Sequence, residues 1–547
     1  MKKKAISLSV ALFWTFALFC GIIIYIFPVK YNNWGGEHMW LSGSSVKFVN
    51  MWLQEGAYTH RFNVYESFDT IEYNTLSERG LYVSYPTGST LFLYLAAKLF
   101  GCTHVDISFL KHFDVVLFGI ESLLMTTFVY MWITDTGYEN EKGKILMSVV
   151  TAISWVLLPN SIYYLCNVYY ADQAVILWIT AFLLVEFLCN RNSQKHYILN
   201  SLKVFIIYTG MLVDYYFWIM VFVAFIMQLL KNICSRRAIR EIIQKSLLYI
   251  IPVILALLTF YWQLSYTDGW FDMLLEKFLL RTGVEEKIRF RQLLDNLSIS
   301  FTNGNVPRMY PLIGLEVMML LLGGIVLLKN GKLSNLVVNN NVSIIIIGML
   351  SPVLHVILLK NHFIAHGFAP LKFDWVYVMS FLCMAYILTL LCKKNVNVKI
   401  AKCSAFFLMY ILCIALWNVV AGNLFSLETY VDERTYDATN DLENVIYKIT
   451  DDNDVLFSFT KSVPPNPPVA LAISEKEVHQ INKLSEIDDL FPNLSPKADV
   501  LFVIDKLIDT RTDEIEKKEM QVLAQGELIY EDNLYQIVKL RTGVAEE

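Results

Sequence analysis

The sequence predicts a polytopic α-helical membrane protein with a small α/β domain at its C-terminus, and three observations carry that expectation. Of its 547 residues 55% are apolar and 14% aromatic, and the mean hydropathy of +0.45 is one that soluble globular chains rarely reach. Apolar runs of about 17 to 25 residues recur, long enough to cross a hydrocarbon core of roughly 30 Å as helices. Charge is divided unevenly, with 26 acidic and 12 basic side chains in residues 425–547 against 24 and 33 in the rest.

Marking the runs gives about eleven spans, at 6–27, 109–133, 145–165, 173–190, 197–213, 215–231, 247–264, 311–328, 343–360, 374–392 and 403–422. The first follows Met1-Lys2-Lys3-Lys4 and lacks an A-x-A-like cleavage site, so it reads as a retained span and not a cleaved signal peptide. Basic residues collect in alternate links: Lys2–Lys4, Lys142 and Lys144, Arg191 with Lys195, Lys231 through Lys245, Lys329 with Lys332, and Lys393 through Lys402. By the positive-inside rule these links face the cytoplasm. The N-terminus is then cytoplasmic and the C-terminal domain extracytoplasmic, in a cell membrane whose style is bacterial. No basic stripe points to nucleic acid. All nine cysteines precede residue 425 and none forms a C-x-x-C pair, so they read as small buried apolar residues and not as disulfides.

Four outer segments stand out: 28–108, 166–172, 265–310 and 361–373. In the first, Met39, Val46, Val49 and Leu53 recur at helical spacing up to Gly56, which predicts an interfacial helix. Ser89 to Phe100 is apolar but too short to span and stops at Gly101; a crossing there would put every later basic link outside, so it too is expected to lie on the membrane. Residues 265–310 place Trp270, Phe271, Leu274, Leu275, Phe278 and Leu279 on one face of a third amphipathic stretch, suited to capping the same outer cavity.

Beyond Asp432 the composition becomes that of a soluble domain. Strand-like runs follow Asp454 and Asp499, helical patterns cover Ser485–Phe491 and Thr512–Leu523, and Gly526–Tyr530 with Leu534–Leu540 predict a terminal hairpin. The expected division is a transmembrane domain over 1–424, carrying the first outer loop 28–108, and an extracytoplasmic α/β domain over 425–547.

Glu37, in Trp34-Gly35-Gly36-Glu37-His38, sits at the aqueous boundary, where a carboxylate stays ionised yet can serve as a general base, worth about 10²–10⁴-fold in rate. The plain alternative is an acid capping a helix. Asp172 and Asp214 lie in tyrosine-rich outer turns, where carboxylates hold a divalent cation, orient an acceptor hydroxyl, or simply mark a hairpin end, the reading preferred for Asp214. Lys111 and His112 open the second span and Arg308 precedes the eighth, at the depth of a lipid phosphate. Their cationic groups suit a phosphate leaving group or, more plainly, lipid headgroups, and Lys111 is also spaced to pair with Asp114. The loop from Lys360 to Asp374 gathers His362, His366 and Lys372, with His355 below; no H-E-x-x-H pattern completes a zinc site there, which leaves substrate contact or a plain polar loop. Glu121, Glu186 and Glu316 fall within spans and must face the bundle interior.

This layout resembles the GT-C superfamily of integral-membrane glycosyltransferases, particularly the branch of protein O-mannosyltransferases and lipid A aminoarabinose transferases. The likeness covers residues 1–425 in organisation and is local in sequence. That family's Asp-Glu pair opening an interfacial helix looks like Gly36-Glu37, with glycine in place of the first acid. Its Pro-Pro segment before a second interfacial helix ending in Phe-Gly looks like Tyr85-Pro86-Thr87 through Phe100-Gly101, with Tyr85 where a basic residue is common; Lys111 and Asp172 match its basic residue and second-loop aspartate. The resemblance implies inverting transfer of a sugar from a polyprenyl-phosphate-linked donor to a hydroxyl of a glycan, lipid or protein. Glu37 and Asp172 would be catalytic, with a divalent metal as one way to use them. Lys111, His112 and Arg308 would hold the donor phosphate, and His38, Tyr85, His362 and His366 would touch substrate. A flippase for lipid-linked sugars and an O-antigen ligase or polymerase are the alternatives; the acidic first loop and the C-terminal domain favour the transferase, and few mid-membrane helix breaks favour a transporter.

Overall fold

The computed structural model describes residues 2–30, 39–66, 79–158, 161, 164–165, 168–191, 197–284, 291–292, 338–366, 368–380, 382–383, 442–451, 453–460, 472–474, 476–491, 498–506 and 512–540. Among these, six helices are long and apolar enough to cross a membrane: Lys4–Ile24, Ile107–Asp135, Ala171–Arg191, Tyr215–Cys234, Ile239–Leu264 and Asn340–Leu358. Two expected spans come out shorter, as Glu141–Val156 and Tyr197–Met211. The second has 15 residues, about 22 Å of rise at 1.5 Å per residue, and is followed at once by Asp214, which caps the next helix. The runs 311–328 and 403–422 and most of 374–392 lie outside the described residues.

The helix Ala171–Arg191 is the hub of the bundle, packing against Ile107–Asp135, Tyr197–Met211, Gly88–Leu99 and Asn340–Leu358. It has almost no free face, because Ala171–Ile176 and Phe182–Phe187 are all buried. Glu121 and Glu186 do face the interior, each about 1% exposed. Glu186 is paired at 2.6 Å with Lys203 and accepts from Tyr249 at 2.8 Å and Asn190 at 2.7 Å. This satisfied network joins three helices near the end opposite the one that gathers the outer segments.

The two short helices of the first loop form where expected, over Met39–Glu55 and Gly88–Leu99, and the third amphipathic stretch forms a helix over Trp270–Thr282. Gly56 and Gly101 follow the first two with φ of 90° and 70°, a conformation that glycine adopts at no steric cost. One expectation changes. The 39–55 helix does not lie open on a membrane surface: every residue from Leu41 to Trp52 is buried. Its polar side chains are spent on neighbours: Ser45 donates to the Tyr169 carbonyl at 2.8 Å, Asn50 exchanges two bonds with the Val105 backbone at 3.0 and 2.8 Å, and Lys47 donates to the Glu66 carbonyl at 2.7 Å. Gly88 is needed where it stands, since a Cβ there would meet the Leu212 carbonyl oxygen at 2.3 Å.

The C-terminal residues form a five-stranded sheet of order β2-β1-β3-β5-β4, with β1 Val455–Ser458, β2 Val478–Gln480, β3 Val500–Asp505, β4 Gly526–Glu531 and β5 Tyr535–Leu540. Strands β1, β2 and β3 are parallel and the β4–β5 hairpin is antiparallel, as its turn predicts. β1 and the first five residues of β3 are buried, as continuous apolar runs in parallel sheets require. The three-residue β2 carries no alternating pattern that sequence reading could use. Ala472, ahead of β2, is packed into the core of the helix bundle.

Candidate active site

The chain turns that join helices at one end of the bundle bring charged and aromatic side chains together. Asp172 lies in the first turn of the 171–191 helix, and Asp214 caps the 215–234 helix by accepting from the Tyr216 N–H at 2.7 Å. Both favour the positive end of a helix dipole. Between them stands Lys372, on a short 3₁₀ helix over Ala369–Phe373 that Pro370 helps to start. Its Nζ is 2.5 Å from Asp172 Oδ1 and 2.9 Å from Asp214 Oδ2, and the three side chains are 0%, 0% and 2% exposed. Burial alone would lower the Lys372 pKa, but the two carboxylates hold it above its usual value.

Aromatic and imidazole rings line the next layer. The Tyr85 hydroxyl is hydrogen-bonded to His362 Nε2 at 3.2 Å, and its ring meets Tyr170 edge-on at 5.1 Å. His355, His362 and His366 follow one another with ring separations of 6.0 and 4.8 Å, and His366 stacks on Phe368. Trp40, near the start of the 39–55 helix, approaches Tyr170, His366 and Phe368 at 6.1–6.4 Å. Burial, then the positive charges of Arg281 and Lys372, hold the His362 imidazole well below its usual pKa; burial also lowers His366.

Arg281 closes the group from the last turn of the 270–282 helix, which ends at Gly283 in the left-handed conformation. Its guanidinium lies 4.3 Å from the Tyr85 ring centre and 5.9 Å from that of Tyr215. Asn361 donates to the Leu280 carbonyl at 2.8 Å and ties this helix to the histidine segment. Arg281 is half-buried and has no carboxylate partner among the described residues. A guanidinium packed on aromatic faces without a counter-ion is a ready site for an anion.

Of the residues singled out from the sequence, Asp172, Tyr85, His362 and His366 come together here. Lys111 is buried in the 107–135 helix, whereas its neighbour His112 is exposed and bonds the Ser108 carbonyl at 2.7 Å. Glu37, His38 and Arg308 lie outside the described residues. Asp214, preferred as a hairpin end, is part of the cluster as well as a helix cap. Sequence reading gave Arg281 no role; a cation in the last turn of an aromatic-rich helix facing two Asp-Tyr turns was the available signal. Among the described residues no group of three or more His, Cys, Asp or Glu side chains is placed to hold a metal ion.

The histidine segment predicts a pH response. A group whose folded pKa is depressed stabilises the fold fully above its ordinary pKa, 6.5 for histidine, and loses that contribution as pH falls below it, because the unfolded chain takes up the proton first. Thermal melts of the His362→Gln variant are expected to fall less steeply than wild type between about pH 6.5 and 5. Parallel curves would remove His362 as the cause.

No family model and no curated protein matches the chain. Solved structures do. ArnT from Cupriavidus metallidurans bound to undecaprenyl phosphate superposes with a TM-score of 0.59 at 8% identity, over 96% of this chain and 98% of its own. The Archaeoglobus fulgidus oligosaccharyltransferase AglB, in complex with an inhibitory peptide and a dolichol-phosphate, gives 0.51 at 11% identity over 92% and 70%. The Archaeoglobus fulgidus oligosaccharyltransferase in complex with zinc and sulfate gives 0.50 at 11% identity over 91% and 68%. At such identities the likeness is one of architecture: this chain shares the fold of these ArnT and oligosaccharyltransferase structures.

Proposed function

We propose that the chain transfers a sugar from a polyprenyl-phosphate-linked donor to an acceptor hydroxyl at the outer face of the membrane, with inversion. The observation that carries this reading is the Arg281 guanidinium, which has no carboxylate partner among the described residues and is set on Tyr85 and Tyr215 beside the Asp172–Lys372–Asp214 group. A phosphate that leaves with two negative charges needs such a cation in a water-poor site. ArnT was solved with undecaprenyl phosphate and AglB with a dolichol-phosphate, which supports a lipid phosphate as the ligand of this fold.

In this reading the acceptor oxygen bonds the anomeric carbon as the bond from that carbon to the phosphate oxygen breaks. The lipid phosphate keeps the electron pair, and the acceptor proton passes to Glu37. Asp172, fixed in place by Lys372, orients the acceptor; Arg281 takes the phosphate, with Lys111, His112 and Arg308 as further cations along the donor path. Tyr85, His362, His366 and His38 border the sugar. Residues 1–424 form the catalytic membrane domain and 425–547 the outer domain. Basic links at the opposite ends of the spans support a cytoplasmic N-terminus.

The test is turnover by the purified chain in liposomes supplied with a panel of polyprenyl-phosphate-linked sugars. The expected result is release of polyprenyl phosphate with glycosylated acceptor, and a loss of at least about 10²-fold in the Glu37→Gln variant. Unchanged turnover in that variant would remove the base role from Glu37. Movement of an intact donor across the bilayer, with no bond broken, would replace the transferase by a flippase.

A further inference from the structure

We propose that Lys372 is the resident cation of this site, occupying the place between Asp172 and Asp214 that a divalent ion would otherwise take, so that the chain works without a divalent metal. The inference rests on the transferase reading for its meaning, not for its geometry. Two acidic side chains that converge at the ends of neighbouring helices are the donor set that a divalent cation uses, at oxygen distances of about 2.0–2.6 Å. Here an ammonium lies 2.5 Å from one carboxylate and 2.9 Å from the other, so an ion bound between the same two oxygens would have to sit within the volume of Nζ. Moving the ammonium aside is opposed by everything around it. Phe368, Ala369, Leu371 and Trp375 are each at most 1% exposed, and the end of the 3₁₀ helix is tied down by Ser161, which donates to Asp374 at 2.8 Å.

Charge points the same way. Lys372 already supplies a positive charge to the two carboxyl groups, and the group stands near a second fixed cation, Arg281. A divalent ion added to an ammonium a few ångströms away in a buried site meets a repulsion that water cannot screen. The donor set therefore does not fit a metal while Lys372 is in place. An ammonium offers three N–H donors and no open coordination position. Lys372 is accordingly a positioning residue that holds both carboxyl groups in place, and the phosphate charge is left to Arg281.

Manganese binding to the purified full-length chain, followed by electron paramagnetic resonance, tests this without any sugar donor. Wild type, Asp172→Asn and Asp214→Asn are expected to bind Mn²⁺ identically. The Lys372→Ala variant is expected to gain one ion with a Kd at or below about 1 mM, and to lose it again when Asp172→Asn is added. EDTA treatment is expected to change wild-type transfer by less than about twofold. Weaker Mn²⁺ binding caused by Asp172→Asn or Asp214→Asn while Lys372 is present would overturn the proposal, as would transfer abolished by EDTA and restored by Mn²⁺. Should Lys372→Ala not fold, the comparison of wild type with the two asparagine variants still decides. A failure of the transferase reading would appear differently, as no turnover under any condition with the manganese results intact.

Discussion

Replacing Arg281 with alanine is expected to lower turnover of a polyprenyl-phosphate-linked sugar by about 10²–10³-fold while the melting temperature moves by no more than about 2 °C. The two halves of that expectation have separate grounds. No residue of the 270–282 helix is buried, and among the described residues Arg281 has no carboxylate that its removal would strand, so little folding energy rests on it. What it offers is a positive charge whose hydrogen-bonding capacity is unspent, held on the faces of Tyr85 and Tyr215. The Arg281→Lys variant is expected to recover only part of the rate, because an ammonium keeps the charge but not the planar fork that binds two phosphate oxygens at once. Full turnover in Arg281→Ala would end the assignment. A collapsed melting temperature would instead make the residue structural.

The Lys372→Met variant is expected to lose about 3–5 kcal/mol of stability, measured by thermal or denaturant unfolding in detergent. Methionine fills much of the same volume, so packing is nearly kept and the loss isolates charge. Without the ammonium, Asp172 and Asp214 are two acidic groups in a dry pocket, at 0% and 2% exposure, with no cation between them. Adding Asp172→Asn to Lys372→Met removes one of the stranded charges and is expected to restore part of the loss, a non-additivity that neighbouring residues show and distant ones do not. A variant as stable as wild type would mean that the ion pair contributes nothing net.

Much of the architecture was legible because it follows from local rules. Span-length apolar runs, glycine after the 39–55 and 88–99 helices, and the Asp532-Asn533 turn of the terminal hairpin each act over a few residues; six of the expected spans, both glycines and the hairpin formed where expected. The site was legible only in part. Asp172, Tyr85, His362 and His366 stood out as polar groups in outer turns. Lys372 stood out too, but its pairing with Asp172 did not, because which loop meets which is decided by helix packing across hundreds of residues: the two lie 200 positions apart in sequence. The same limit explains why the 39–55 helix was read as a surface helix. Its serines and its lysine look like a solvated face, and become core only when the Tyr169 and Glu66 carbonyls arrive to accept their hydrogens.

That buried helix also imposes an order on biosynthesis. It is made early, yet Lys47 on it, whose pKa burial lowers to about 8, is offset by the charges of Glu66 and of Glu477; the latter is added more than 400 residues later. Ala472, from the same late stretch, completes the packing of the bundle core. A nascent chain can insert its spans as they emerge, but the packing around Lys47 and in the bundle core stays incomplete until residues 472–477 have been made. A ribosome that stalls before residue 472 thus leaves a chain whose bundle core lacks its last packing residue.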